Sequence, residues 1–409
     1  MKARIGYFIP EFPGQTHIFF WREIEALESM GIDIDLVSTK HPVSKIMSHT
    51  WTQEAQKRTA YLFPPTQNLI GIFLEILRCG PQGWFRCLGA ILKAKGVSLS
   101  GRLRLFALAF IGAELSYLAR SRSWKHLHVH SCADAANVAM FASLLSKLPY
   151  SIMLHGPLCD YGLNQEQKWC FAKFGIVITQ KLYEEVNNSL GGYLPRKVEI
   201  APMGVDACVF SRKIPYSPWN GKDSLLIFSC GRLNPCKGHA DLIAAIDILR
   251  KRGINAELEI AGEDEQGGEG YRKELEKLIQ QLGLDNSVHL LGAVSENVVR
   301  ESLEKAHVFA LASLHEPLGV AIMEAMAMEV PIVVTGSGGV KELVDDGVNG
   351  FLVEPQAPTQ LADAIASLLE DTELSIRLGK AGREKVTQSF HSQRSAEVLL
   401  NSIGLSLTT

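Results

Sequence analysis

Short apolar runs alternate with helical patterns along most of the chain. The first run, Ile5 to Ile9, leads through a Pro/Gly turn into Phe19, Phe20, Ile24, Leu27 and Met30, which share one helical face. Gly31 then opens a second run, IDIDLVS. Strand, loop, helix and strand in that order begin a doubly wound parallel sheet. The alternation returns at Leu127 to His130, Tyr150 to Leu154 and Gly175 to Thr179, then lapses into Pro, Asn and Gly between Pro202 and Pro218. A second series starts at SLLIFSCGRLNPCKG. It continues through the helical ADLIAAIDILRKRG, the strand AELEIAG, the helical YRKELEKLIQQLG and the strands SVHLLGAV, HVFALAS and PIVVTG. From about Thr359 the pattern is helical to the end.

The fold class this predicts is α/β, with two Rossmann-like doubly wound domains facing each other across a cleft. The expected boundaries are 1–205 for the first domain, 206–222 for a linker and 223–385 for the second domain, with a C-terminal helix in 386–409 packing back toward the first. Open parallel sheets bind at the carboxyl ends of their strands, so the cleft is where a ligand belongs.

At 409 residues the chain is long enough for two such cores, and 46% hydrophobic with 21% charged residues is a globular composition. A net charge of −3 argues against a dedicated nucleic-acid binder. The eight cysteines show no C-x-x-C pair and no zinc-ligand spacing, which fits a reducing cytoplasm. Pro10 and Pro13 cut the first apolar run before it can form a signal-peptide core.

Residues 68–125 are unusually apolar. Glu75, Arg78, Arg86, Arg104 and Glu114 interrupt them before they reach the roughly 18 to 20 apolar residues of a membrane span. Two readings stay open. Either these are helices packed on the sheet, or they form an interfacial patch in which Lys93, Lys95, Arg102, Arg104, Arg120, Arg122 and Lys125 meet anionic lipid.

The strongest chemical signal is LHEPLGVAIMEAMA, with Glu316 and Glu324 eight residues apart across a strand-to-helix junction. Such a junction aims backbone N–H groups and the positive end of a helix dipole at an anion such as a diphosphate, and Glu324 can accept from a ribose diol. The segment CGRLNPCKG places Arg232 and Lys237 five apart on a loop leaving a strand, with Gly231 and Gly238 allowing close backbone approach. Two cations there suit a pyrophosphate leaving group.

The run GRLNPCKG, followed by LGAVSENVVRESLEKAHVFALASLHEPLGVAIMEAMAMEVPIVVTGSGGVKELVDDGVNGFLVEP, resembles the donor domain of family-4 retaining glycosyltransferases of the GT-B fold. Those enzymes carry a G-R-x4-K-G loop and an E-x7-E element at this spacing. FPGQTHIFFWREIEALESMGIDIDLVS, HLHVHSCADAANVAMFASLL and SIMLHGPLCDYG are more loosely similar to the branch that builds colanic-acid-like exopolysaccharides and lipid-linked saccharides. Residues 50 to 120 match poorly.

The resemblance implies that Arg232 and Lys237 hold the diphosphate, Glu324 the ribose hydroxyls and Glu316 the donor sugar. Pro317, Leu318 and Gly319 would offer backbone N–H groups, Ala293 and Val294 would cradle the base, and Gly231 and Val320 complete the donor set. His155 matches the histidine that lies beside the donor sugar. The implied donor is a UDP- or GDP-type sugar nucleotide, with no other cofactor and no metal. The acceptor would be a saccharide, a lipid-linked saccharide or a small molecule, and the location the cytoplasm, at the inner face of the membrane where residues 68–125 touch it.

Two departures from the family are visible. The turn after the first strand, PEFPGQT, has only Gly14, which puts contacts at Gly14, Gln15 and Thr16 in question, and Ser131 stands where the family has an aromatic. His126, His128 and His130 alternate on one strand face, as metal ligands or as ordinary strand residues. Asp33 and Asp35 form D-x-D inside an alternating strand, where outward polar residues are expected. A sugar-nucleotide epimerase of the same fold, or a non-catalytic sugar-nucleotide binder, are the alternatives.

Overall fold

A computed structural model describes residues 2–42, 48–64 and 69–405. Met1, Asn68 and residues 406–409, which belong to segments delimited above, lie outside the described residues.

The first sheet has seven strands in the order β3-β2-β1-β4-β5-β6-β7. They are β1 (Arg4–Glu11), β2 (Asp33–Lys40), β3 (Ala60–Tyr61), β4 (His126–Val129), β5 (Tyr150–Leu154), β6 (Phe174–Val177) and β7 (Val198–Ile200). The second has six, in the order β10-β9-β8-β11-β12-β13: β8 (Leu225–Cys230), β9 (Ala256–Ala261), β10 (Val288–Gly292), β11 (Val308–Leu311), β12 (Ile332–Thr335) and β13 (Phe351–Val353). Every pairing between these strands is parallel.

Helices cover both faces of each sheet, so strands such as β4, β5 and β12 are buried along their whole length. In the first domain the helices are α1 (Ile18–Ser29), α2 (Thr52–Arg58), α3 (Leu69–Arg78), α4 (Gly80–Lys93), α5 (Leu99–Ser121), α6 (Asp134–Ser146), α7 (Gln165–Cys170) and α8 (Gln180–Leu190). The second domain has α9 (His239–Lys251), α10 (Tyr271–Leu282), α11 (Glu296–Lys305), α12 (Val320–Ala327), α13 (Val340–Leu343) and α14 (Pro358–Glu370). The chain ends in α15 (Thr372–Ser389) and α16 (Arg394–Ile403).

The short edge strands β3, β7 and β13 have no counterpart in the sequence pattern, since two or three residues carry no readable period. The segment 206–222 is tied down rather than free. Arg212 donates to the carbonyls of Leu303, Glu304 and Met328, and Tyr216 donates to that of His307. Val205 pairs with His391, and α16 packs on α1 of the first domain.

In each sheet the strand order reverses once, between β1 and β4 and between β8 and β11. A parallel sheet opens a crevice at that point, because the loops on either side depart in opposite directions. The two reversals face each other across the interdomain cleft. Asp33 and Asp35 begin β2, at the opposite end of the sheet, where they pair with Arg4 and Arg122.

Candidate active site between the two domains

The cleft has a volume of about 650 Å³ and is walled by both domains. From the second domain come Gly231, Arg232, Lys237, Ala293, Val294, Glu316, Pro317, Gly319, Val320 and Glu324; His155 comes from the first. The structure therefore brings together the residues assigned to the donor site from the sequence; Leu318, named for its backbone N–H, lies between Pro317 and Gly319 with its side chain buried in the core. One further correction is chemical: Pro317 has no N–H, so only Leu318 and Gly319 can donate from that turn.

The loop after β8 is held by its own sequence. The Asn234 side chain accepts from the Cys236 N–H and caps the single turn Pro235–Lys237. Gly238 follows with φ +64, and a Cβ there would lie 1.9 Å from the Ala312 carbonyl oxygen. Only glycine lets this loop lie against the one after β11. Lys237 consequently reaches across and donates to Glu316 Oε2 at 2.5 Å, where Ser313 Oγ also donates at 3.1 Å. Behind Glu316 the chain is as close, since a Cβ at Gly338 would stand 1.9 Å from the Glu316 carbonyl oxygen.

Arg232 is less constrained. Its guanidinium meets Glu265 at 2.8 Å and its side chain is 43% exposed. Its charge is felt across the cleft at His17, whose pKa falls to about 3, through burial first and Arg232 second.

Glu324 sits on α12, which Gly319 opens with φ +99. Its Oε1 accepts from Arg22 Nη2 of α1 at 2.6 Å, and both side chains are only 8% exposed. No hydrogen bond among the described residues reaches Glu324 Oε2. Arg22 also lies 5.0 Å from the ring centroid of Phe210, another cleft residue. An ion pair this buried holds the carboxylate in one orientation, with Oε2 left to accept a hydroxyl hydrogen.

On the other wall, His155 Nε2 lies 3.1 Å from His130 Nδ1. His130 Nε2 is 3.1 Å from Glu23 Oε2, which accepts from the Tyr7 hydroxyl at 2.5 Å. Burial, reinforced by His130, pushes the His155 pKa down to about 3. His155 is thus a neutral imidazole that can exchange hydrogen bonds with a hydroxyl and carry no charge. Glu23, His128 and His130 are the group among the described residues whose ligand-type atoms lie within 4.8 Å of one another. His128 Nδ1 lies 2.7 Å from Ser151 Oγ, and that hydroxyl is equally close to His126 Nε2.

Gln15 ties the two walls of the cleft together. Its amide brackets the backbone at Glu263, donating to the carbonyl at 2.9 Å and accepting from the N–H at 3.0 Å. His49 joins Glu296 at 2.9 Å, and Ser48 donates to the Val294 carbonyl at 2.7 Å. Burial raises the Glu296 pKa, but the bonds from His49 and Thr50 outweigh it and draw it to about 2. Arg22, Glu23 and Tyr7 were not singled out from the sequence as site residues, and Gln15 only as a contact in question. The one available signal was the charged pair Arg22-Glu23 inside the apolar face of α1.

Residues 213–385 match the family described as glycosyl transferases group 1. WcaL of Escherichia coli K12, assigned to colanic acid biosynthesis as a glycosyltransferase, is 32% identical over 416 residues, covering 95% of this chain and 97% of WcaL. The chain belongs to the group 1 glycosyltransferases. Alpha-D-kanosaminyltransferase of Streptomyces kanamyceticus is 33% identical over 158 residues, 39% of this chain and 40% of that one. Against this and other curated relatives the chain thus spans about half their length or less. Among solved structures, Anabaena HepE in complex with UDP and glucose aligns with a TM-score of 0.73 at 21% identity, over 96% of this chain and 98% of HepE. Sucrose-phosphate synthase from Thermosynechococcus elongatus aligns at 0.73 and 19% identity, over 98% of each chain. These likenesses show the two-domain GT-B fold.

Proposed function

We propose that this glycosyltransferase is retaining and metal-independent, and that it moves a sugar from a UDP- or GDP-type donor to a hydroxyl of a saccharide, lipid-linked or small-molecule acceptor. One observation carries the reading: Lys237, Arg232, Glu316 and the start of α12 converge at the strand-order reversal of the second sheet, opposite His155. Anabaena HepE, of the same fold, was solved with UDP-glucose, which supports a nucleotide-sugar donor.

In this reading the diphosphate lies against Lys237, Arg232 and the N–H groups of Leu318 and Gly319. Glu324 holds the ribose, Ala293 and Val294 the base, and Glu316 the sugar hydroxyls. Lys237 shifts from Glu316 toward the phosphate when the donor enters. The bond between the anomeric carbon and the phosphate oxygen breaks with its electron pair going to the nucleoside diphosphate. The acceptor oxygen then bonds to that carbon from the same face, and its proton passes to the departing phosphate oxygen. The two cations stabilise the charge that develops there, where losing one such group raises the barrier by about 3 to 4 kcal/mol.

Peripheral contact with a membrane through α3, α4 and α5 belongs to the same reading, since it brings a lipid-linked acceptor to the cleft; the location in this reading is the cytoplasm, at the inner membrane face. The test is transfer from a panel of sugar nucleotides in EDTA, with the product anomer read by NMR. The product keeps the donor's anomeric configuration, and Arg232→Ala lowers turnover by about 100-fold or more without loss of folding. An inverted product, a requirement for added divalent metal, or near-normal turnover of Arg232→Ala would refute the reading.

A further inference from the structure

Twelve of the twenty large hydrophobic side chains that stand exposed among the described residues fall between Leu69 and Phe110. In α3 they are Leu69, Ile70, Phe73, Leu74 and Leu77, which share one helical face. In α4 they are Phe85, Leu88 and Leu92, and in α5 Leu99, Leu103, Phe106 and Phe110, again at helical spacing. Trp84 joins the three stripes. Its indole N–H donates to the Ile76 carbonyl of α3 at 3.0 Å, and its ring centroid lies 5.1 Å from that of Phe110 in α5. The opposite sides of α4 and α5 are core, with Cys87, Ala90, Ile91, Leu105, Leu108 and Ala109 buried. The helices therefore pack on the domain and still leave an apolar face uncovered. No helix among the described residues is long and apolar enough to cross a membrane.

The charge on this face has one sign. Between residues 69 and 125 the only acids are Glu75 and Glu114, and both are buried. Arg104, Arg120 and Arg122 pair with Asp134, Glu75 and Asp35. Arg78, Arg86, Lys93 and Arg102 form no ion pair among the described residues, and the first three are exposed. Apolar side chains rimmed by cations fit a bilayer with anionic headgroups, because the aliphatic and aromatic groups enter the acyl boundary while the charges stay at headgroup depth. A second copy of the chain fits less well, since two such faces would bring like charges together.

The face also has a direction. From Gly112 onward α5 is mostly core, so its exposed half is its first half. Arg104 in that half pairs with Asp134, which begins α6 directly after the cleft residues His130 and Ser131. The exposed half of α5 is therefore the half beside the cleft.

We propose that α3, α4 and the first half of α5 form a docking face for bilayers containing anionic lipid, which turns the cleft toward an acceptor carried in that bilayer. The docking stands on the surface alone, whereas the acceptor's route rests on the glycosyltransferase reading. The experiment is flotation of the full chain with phosphatidylcholine vesicles, with or without roughly one third phosphatidylglycerol. The chain floats with the mixed vesicles and far less with the neutral ones. Arg86→Gln with Lys93→Gln lowers the partition coefficient by about thirty-fold, and Phe73→Ser with Phe106→Ser abolishes flotation. Both double variants keep the wild-type thermal midpoint and nucleotide binding, since the side chains removed are exposed. Absence of wild-type flotation, or flotation of either variant equal to wild type, overturns the proposal. So does a dimer in solution that the Phe73/Phe106 variant converts to monomer, which would give the face to a second copy. A wild-type chain that floats but transfers no sugar would sink the reading of the cleft and leave the docking face standing.

Discussion

Replacing Arg22 by Gln separates the ribose site from the ion pair behind it. Arg22 and Glu324 belong to different domains, meet at 2.6 Å and are each 8% exposed, so solvent screens their interaction little. Removing one partner of so buried a pair costs about 3 to 5 kcal/mol of stability, because the remaining charge is left uncompensated. The effect on the ligand is narrower. A hydroxyl donating to an ionised carboxylate contributes about 1.5 to 3 kcal/mol, so the wild-type chain should bind its nucleoside diphosphate roughly ten-fold or more tighter than the 3′-deoxy analogue. In Arg22→Gln the carboxylate is free to turn or take up water. The same discrimination should then shrink below about three-fold, a coupling of roughly 1 kcal/mol between side chain and hydroxyl. Calorimetric titration of both proteins with both ligands gives all four affinities. Equal discrimination in wild type and Arg22→Gln would show that Arg22 does not position Glu324, and no discrimination in the wild type would remove the ribose from Glu324 altogether.

Two further outcomes follow from buried titratable groups. Glu114 is buried in α5 with Oε1 unpartnered, and burial raises its carboxyl to about 7, against 4.5 for a free glutamate. Its penalty is absent below pH 4.5, grows as pH rises and reaches about 3 kcal/mol above pH 7; Glu114→Gln should therefore raise the unfolding midpoint at pH 8 more than at pH 5, and an equal shift at both would contradict it. His155, held near 3 by burial and by His130, is neutral across pH 5 to 8. Donor turnover of wild type and His155→Gln should differ in height but not in the shape of the pH profile, and a limb near pH 6.5 present only in the wild type would be the contrary result.

The fold was legible because parallel strands buried on both faces read as apolar runs, and the helices between them show a 3.6 period. The edge strands were not, since Ala60–Tyr61 and Val198–Ile200 are set by neighbours rather than by their own residues. In the second domain the site residues follow the strands directly, so motif and geometry coincide at Arg232, Lys237, Glu316 and Glu324. In the first domain the partners are distant in sequence: Arg22 finds Glu324 302 positions away, and Glu23 reaches His155 only through His130. An amphipathic pattern gives no hint of such pairings. Nor does it say which side of α3 to α5 meets the domain, because an apolar stripe looks the same whether it faces a sheet or a bilayer.

In the proposed mechanism the cleft grips a nucleoside diphosphate through side chains and backbone, with no metal between. Calorimetric titration in EDTA of the wild type and of Lys237→Ala with UDP, GDP and ADP decides whether it does. The wild type should bind UDP or GDP with EDTA present, and Lys237→Ala, still folded, should bind the same ligand about 100-fold more weakly. Failure of all three nucleotides to bind the wild type, or equal affinity in Lys237→Ala, would contradict it.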